Sequence, residues 1–159
     1  MKIKDGQTLL FIGDSITDGG RTYPVGLHQG LGEGYVAFVS DLLIACHPQE
    51  HVRVLNCGVS GDRVTDLKAR WQTDVLDLAP NWLSVMIGIN DVWCQFDAAL
   101  DPDRVASERY ETVYRELLDR THQALDGLVL MSPYVLDPEQ DNPMRQQMDA
   151  YRRVVRDLS

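Results

Sequence analysis

Short apolar runs that alternate with helical patterns constrain the fold of this chain more than any other feature. Four runs have the length and composition of buried strands: Thr8 to Ile12, Val52 to Leu55, Leu83 to Ile87 and Leu128 to Met131. Such alternation is typical of a parallel sheet between two helical layers, joined by right-handed crossovers. We therefore predict an α/β fold, a flavodoxin-like three-layer sandwich with a central parallel sheet.

The stretches between these runs carry apolar residues at helical spacing. The series Tyr35, Val39, Leu42 and Cys46 predicts a helix with one apolar face, and similar spacing follows Val64 and Tyr110. A length of 159 residues is enough for one domain with one core, over residues 1–159. The composition, with 44% hydrophobic and 25% charged residues, is ordinary for a globular protein and indicates no second domain.

Three of the strand runs end in small or polar residues. The first leads into Gly13-Asp14-Ser15, the second into Gly58 to Gly61, and the third into Gly88-Ile89-Asn90. In open parallel sheets, ligands bind at the carboxyl ends of the strands, near the point where the strand order reverses. We therefore expect these three turns to form one site.

The residue types at these turns fit acyl transfer. Ser15 is a candidate nucleophile, and the Gly61 N–H, the Asn90 side-chain amide and the Ser15 N–H are candidate donors for a tetrahedral oxyanion. An alternative stays open, because Asp, Ser and Thr in this pattern also serve as ordinary turn and helix-cap residues.

The three blocks resemble those of the SGNH (GDSL-type) hydrolases in sequence, order and spacing. The blocks are Gly13 to Asp18, Asn56 to Gly61 and Gly88 to Asp91. Segments such as Gly34-Tyr35-Val36-Ala37 and Asp66 to Trp71 are similar to those of bacterial acetyl-xylooligosaccharide esterases. This resemblance implies an esterase that removes acetyl groups from a small acetylated sugar through an acyl-enzyme on Ser15, with neither cofactor nor metal.

The resemblance also implies a final Asp-x-x-His block, after one more strand, that supplies the base. This sequence contains no such block, and Met148 to Ser159 reads as a helix. We therefore expect a C-terminally incomplete SGNH hydrolase domain that lacks its last strand and helix and has little esterase activity by itself. Truncation, a tail on another chain and a different C-terminus are all open.

The four histidines are poor substitutes for that base. His51 and His122 are predicted at the opposite edge of the sheet, and His47 lies in a loop at a helix exit. His28 follows Ser15 in a loop that we expect on the side of the site. It is either a weak substitute base or a loop or substrate contact.

Charge and cysteine usage exclude other classes of protein. A net charge of -9 opposes binding to nucleic acid or to an anionic membrane surface, and no apolar run is long enough to span a membrane. The three cysteines have neither paired nor metal-ligand spacing, and the N-terminus carries no export signal, which favours a cytoplasmic protein. The resemblance also implies that the last apolar strand lacks its outer neighbour, and such an uncovered edge predicts a homo-oligomer, a swapped assembly or a poorly soluble chain. The alternative is that the chain is part of a larger natural product.

Several interpretations of the residues around the site remain open. Asp62 and Arg63 are candidates for an ion pair that fixes the Gly61 turn, and simple solvation is the alternative. Tyr23 and Trp93 are candidate sugar platforms, and packing in the core or at a subunit contact is the alternative for Trp93. The stretch Gly19 to Gly34 is either a mobile loop over the site or a permissive connection. A noncatalytic carbohydrate-binding or interaction module on the same fold is the alternative function.

Overall fold

The central sheet has five strands in the order β2-β3-β1-β4-β5. A computed structural model describes residues 2–97, 104–135, 139 and 141–159. The strands are β1 Thr8–Gly13, β2 Gly26–Leu27, β3 Arg53–Gly58, β4 Trp82–Met86 and β5 Gly127–Met131. β1 pairs in parallel with β3 and β4, β4 pairs in parallel with β5, and only β2 is antiparallel to its neighbour β3.

Helices follow the strands as the sequence predicts. They are α1 Ser15–Asp18, α2 Tyr35–Cys46, α3 Val64–Trp71, α4 Ile89–Trp93, α5 Ser107–Asp119 and α6 Pro143–Leu158. A single π-helical turn, Gln72–Leu76, continues α3, and short 3-10 turns lie at His28–Gly30 and His122–Ala124. Asn142 caps α6 by accepting from the Met144 N–H, and Pro143 occupies the first turn, where no hydrogen-bond donor is needed.

Both faces of the sheet are covered, which explains why its strands read as continuous apolar runs. Leu10 and Ile12 of β1 pack into a core shared with α3, α5 and α6. Leu9 and Phe11 point to the other face, where they join a second core with Val36 of α2. The predicted α/β fold with a central sheet between helical layers is confirmed.

Two local predictions are wrong. The two-residue strand β2 was not expected inside the stretch Gly19 to Gly34, which is therefore not one continuous loop. On α2, Leu42 is 62% exposed and Cys46 is exposed, so the series does not form a buried face. The reason is that apolar residues surround this helix, with Phe38 65% exposed as well, so that helical spacing alone does not select the buried side.

β5 forms one end of the strand order, and its Val129 is 45% exposed. Within the described ranges, no helix combines the length and the apolar content that a membrane crossing requires.

Candidate active site

The three predicted turns leave the sheet at the same edge. The register pairs Gly13 at the end of β1 with Gly58 at the end of β3 and with Met86 at the end of β4. Ser15 and Asn90 follow their strand ends at the starts of α1 and α4, and Gly61 lies in the turn after β3. The expectation that these strand ends meet at one edge is therefore confirmed by the sheet register.

Ser15 begins α1 and its side chain is exposed. Asp14 caps this helix, because its carboxylate accepts from the Ile16 N–H at 3.0 Å. Asp14 is only 1% exposed, and burial raises its pKa to about 6, with a smaller contribution from the charge of Asp62 and an opposing one from the Ile16 N–H. Among the described residues, the Ser15 N–H has no acceptor, so it is available to a ligand.

The second block forms a type II turn over Val59 to Asp62. The Asp62 N–H donates to the Val59 carbonyl at 3.2 Å, and Gly61 has a φ of +88°, the value that this turn requires at its third position. The turn is fixed to β1 by the Val59 N–H, which donates to the Gly13 carbonyl at 3.0 Å. Gly61 is exposed, and its N–H donates to no residue in the described part of the chain.

Asn90 connects the third block to this turn. Its side-chain Nδ2 donates to the Asp62 carbonyl at 2.9 Å, and an amide nitrogen carries a second hydrogen that can serve a ligand. The next residue, Asp91, is fully buried and accepts from the Val64 N–H at the start of α3, at 3.1 and 3.2 Å. Burial raises the pKa of Asp91 to about 7, against the lowering effect of that N–H.

Arg70 of α3 is the main polar connection beneath the site, and the sequence interpretation missed it. Its guanidinium donates to the Asp62 carboxylate and the Cys57 carbonyl at 2.7 Å each, and to the Gly13 carbonyl at 3.2 Å. It also pairs with Asp74 at 2.7 Å. The arginine thus joins two strand ends to the turn. The one available signal was the i,i+4 spacing of Arg70 and Asp74.

The expected Asp62–Arg63 ion pair is wrong. Asp62 pairs with Arg70, while Arg63 begins α3 and its Nε lies 2.9 Å from the Asp66 carboxylate. The reason is local: the Arg63 backbone N–H also donates to Asp66, so that arginine belongs to the start of its own helix.

Asn56 of the second block has a structural role. It is fully buried, its Nδ2 donates to the Thr17 carbonyl at 2.7 Å and to the Leu31 carbonyl at 2.8 Å, and its Oδ1 accepts from the Gly58 N–H at 2.9 Å. It therefore anchors α1 and the following connection to β3.

A second anchor lies in the connection after α1. Arg21 is 5% exposed, donates to the Gly58 and Pro24 carbonyls, and places its guanidinium 3.9 Å from the centre of the Tyr23 ring. The stretch is a tethered connection along much of its length. One face of Tyr23 already stacks on Arg21, so only the other face could meet a sugar.

The histidines do not supply a base at these strand ends. β2 runs antiparallel to β3 and pairs Leu27 with Leu55, which carries His28 away from the site. His28 instead lines a groove of about 520 Å³ with Ile44 and Val54, so its expected position on the side of the site is wrong. The direction of β2, invisible in the sequence, is the cause.

The other histidine predictions agree with the structure. The His51 N–H and ring contact Asp5 at 2.8 and 2.9 Å, just before β3 begins, and His47 directly follows the last residue of α2. His122 lies in the short turn before β5, and its side chain is outside the described set. None of the three described histidine side chains is at the strand ends that carry Ser15.

Trp93 ends α4, three residues after Asn90, and is 55% exposed, so the core-packing alternative for this side chain is wrong. It lines a shallow recess with Phe96, Asp97 and Met144. Its use as a sugar platform stays a prediction.

Comparison with known proteins decides the family. A sequence model of the GDSL-like Lipase/Acylhydrolase family matches residues 11–159. The chain belongs to this family. The predicted resemblance to GDSL-type hydrolases is thereby confirmed.

Known proteins are similar to this chain in both sequence and structure. An acetylxylan esterase of Geobacillus stearothermophilus is 47% identical over 162 residues, which is all of this chain and 74% of that protein. The crystal structure of that esterase, Axe2, has a TM-score of 0.95 at 47% identity, over 99% of this chain and 74% of its own. Its catalytic mutant S15A gives a TM-score of 0.95 at 46% identity, with the same coverage.

A second similar structure is that of LAE5, an alpha/beta hydrolase enzyme from the metagenome of Lake Arreo in Spain. It has a TM-score of 0.93 at 43% identity, and the match covers 99% of this chain and 74% of that one.

Proposed function

We propose that the chain is a serine ester hydrolase that deacetylates acetylated xylooligosaccharides or similar carbohydrate acetyl esters, through an acyl-enzyme on Ser15. The observation that carries this proposal is the alignment of three strand ends, which brings Ser15, Gly61 and Asn90 to one edge. The similarity to the acetylxylan esterase supports the substrate class. The catalytic mutant of that relative replaces a serine that also has the number 15.

The proposed chemistry uses groups that the fold leaves free. The Ser15 hydroxyl attacks the acetyl carbonyl carbon, and the negative charge that develops on the carbonyl oxygen is stabilised by the N–H groups of Ser15 and Gly61 and by the Asn90 amide. The tetrahedral intermediate expels the sugar hydroxyl and leaves an acetyl group on Ser15, which water then removes. Each donor is fixed by bonds that do not consume it, so the site is preorganised.

Proton transfer is the part of this mechanism that the described side chains do not provide. A serine hydroxyl needs an adjacent base, and no described histidine lies at the strand ends. Binding and an oxyanion site alone can leave a residual acceleration of about 10³ to 10⁴ over water. We therefore propose that the 159-residue chain by itself turns over only slowly.

The first test is covalent labelling with an alkyl fluorophosphonate, followed by intact-mass and peptide analysis. We expect one adduct on Ser15 that disappears in Ser15→Ala. Ser60→Ala is the matched control, because Ser60 is a second exposed serine at the same edge and its loss should leave labelling unchanged. A chain that stays unlabelled, or labels equally with and without Ser15, contradicts the proposal.

The lack of a described histidine at the site favours one second candidate, a noncatalytic carbohydrate-binding or interaction module. That function predicts calorimetric binding of acetylated xylooligosaccharides without any fluorophosphonate adduct.

A further inference from the structure

The carboxylate of Asp18 connects the helix that carries Ser15 to the turn that carries Gly61. Asp18 ends α1 and is 7% exposed. Its Oδ2 accepts from the Ser60 N–H at 3.1 Å and from the Tyr23 hydroxyl at 2.8 Å, and its Oδ1 accepts from the Arg21 N–H at 3.2 Å. The stretch that contains α1 and its following connection therefore meets the Ser60 turn, 42 positions later, at one buried carboxylate.

α1 is a single helical turn, so Asp18 and Ser15 move as one body. The Asp18 N–H donates to the Asp14 carbonyl at 2.9 Å, and the Gly19 N–H donates to the Ser15 carbonyl at 3.1 Å. The position of the Asp18 carboxylate is therefore tied to the position of the nucleophile.

The turn has other attachments, but they lie at its two ends. Val59 is bonded to Gly13, and the Asp62 carbonyl accepts from Asn90. Among the described residues, only Asp18 bonds Ser60, the residue directly before Gly61. The Asp18–Ser60 bond is thus the direct connection between α1 and the middle of the turn.

We propose that Asp18 is a positioning residue, which sets the distance between the Ser15 hydroxyl and the Gly61 N–H through its bond to Ser60. This inference rests on the proposed function for its catalytic consequence, because only an acyl-transfer site needs that distance. A misplacement of about 1 Å in such a site costs on the order of 10²-fold in rate. The bonds from Tyr23 and Arg21 fix the carboxylate in turn.

The bond can be removed from either side. Asp18→Ala deletes the acceptor, while Ser60→Pro deletes the donor and keeps a residue that the second position of a type II turn favours. Ser60→Pro leaves the Tyr23 and Arg21 bonds to Asp18 in place. If Asp18 mattered only through its bonds to Tyr23 and Arg21, Asp18→Ala would therefore slow labelling and Ser60→Pro would not.

The experiment measures the rate of fluorophosphonate labelling of Ser15 in the full chain. We expect Asp18→Ala and Ser60→Pro each to slow labelling by about 10-fold to 100-fold, and the double variant to be no slower than the slower single one. Asp18→Asn, which keeps an acceptor oxygen, should restore most of the rate.

The proposal is overturned if Ser60→Pro is labelled at the rate of the parent chain. It is also overturned if the fold-loss of labelling rate in the double variant equals the product of the two single losses. Amide hydrogen exchange measured by NMR separates this failure from that of the proposed function. Asp18→Ala should speed exchange at Ser60 at least about tenfold and leave Ile16, protected by Asp14, unchanged. If Asp18→Ala leaves the exchange rate of the Ser60 amide unchanged, the Asp18–Ser60 connection is refuted whatever the labelling shows. If the Ser60 amide loses its protection but Ser15 is not labelled even in the parent chain, only the esterase function is refuted.

Discussion

Removal of the Arg70 guanidinium should destabilise the strand ends more than any surface ion pair does. Arg70→Ala deletes three contacts of 2.7 Å, to Asp62, Asp74 and the Cys57 carbonyl, and one of 3.2 Å to the Gly13 carbonyl. The Arg70 side chain is only 17% exposed, and the Asp62 side chain is 12% exposed. The substitution therefore leaves a largely buried carboxylate without its cation.

The magnitude follows from that burial. Breaking a buried ion pair by removing one partner costs about 3 to 5 kcal/mol. Asp74 is 24% exposed and can regain water, so the lower end of that range applies. We expect Arg70→Ala to reduce the free energy of unfolding by about 3 kcal/mol at neutral pH.

The deficit should depend on pH. Burial raises the pKa of Asp62 even with Arg70 in place, and Arg70 opposes that shift by its charge and its hydrogen bond. Without Arg70, the folded-state pKa lies still further above the unfolded value. A group of this kind costs stability as the pH rises through its folded-state pKa, so the deficit should be larger at pH 8 than at pH 5.

Urea unfolding followed by tryptophan fluorescence at both pH values measures this effect. Arg115→Ala is the matched control, since its pair with Glu111 is 2.8 Å long but about half exposed on α5 and should be worth less than about 1 kcal/mol. The reasoning is refuted if the two variants lose the same free energy at pH 8, or if the Arg70→Ala deficit does not change with pH.

Four further outcomes are expected. Gly58→Ala should prevent stable folding, because a Cβ there lies 2.2 Å from a backbone nitrogen of α1. Gly61→Ala should cost only about 1 to 2 kcal/mol of stability in thermal melts, because a Cβ at Gly61 meets nothing within 4 Å and only the strain of its positive φ remains. The parent chain should lose free energy of unfolding, on the order of 4 kcal/mol, as the pH rises from 4 to above the folded-state pKa of Asp91, which is about 7. Asp91→Asn should remove this loss. If urea unfolding shows the same pH dependence of the free energy of unfolding in both chains, the reasoning is contradicted. Asn90→Ala should slow Ser15 labelling by about 10²-fold without weakening sugar binding in calorimetry. His28→Ala should leave labelling unchanged, and a slower rate would return it to the site.

The fold was predictable because the signals of the four longer strands were strong. β1, β3 and β4 are covered on both faces, so most of their residues are apolar, and the glycines that follow their apolar runs mark where backbones approach closely. β2 has only two residues and no periodicity, so the sequence contained nothing by which to find it. Its antiparallel direction in turn decided the position of His28.

The positions of Ser15, Gly61 and Asn90 were predictable for a topological reason, since parallel strands end at a common edge. Their supporting residues were not. Arg70 reaches the Gly13 carbonyl across 57 positions in the sequence, and Asn56 reaches the Thr17 carbonyl across 39. No local pattern encodes such pairings, because they depend on which segments the finished sheet brings together.

The described structure separates the two halves of the proposed chemistry. The proposed nucleophile and oxyanion donors follow β1, β3 and β4, which lie inside the sheet and are joined by the half-buried Arg70 and the buried Asn56. That half is preorganised whether or not a base is present. Each hydrolytic cycle requires two proton transfers, which no described histidine can mediate. A reagent that needs mainly an oxyanion site should therefore label Ser15 much faster than the chain turns over an ester substrate.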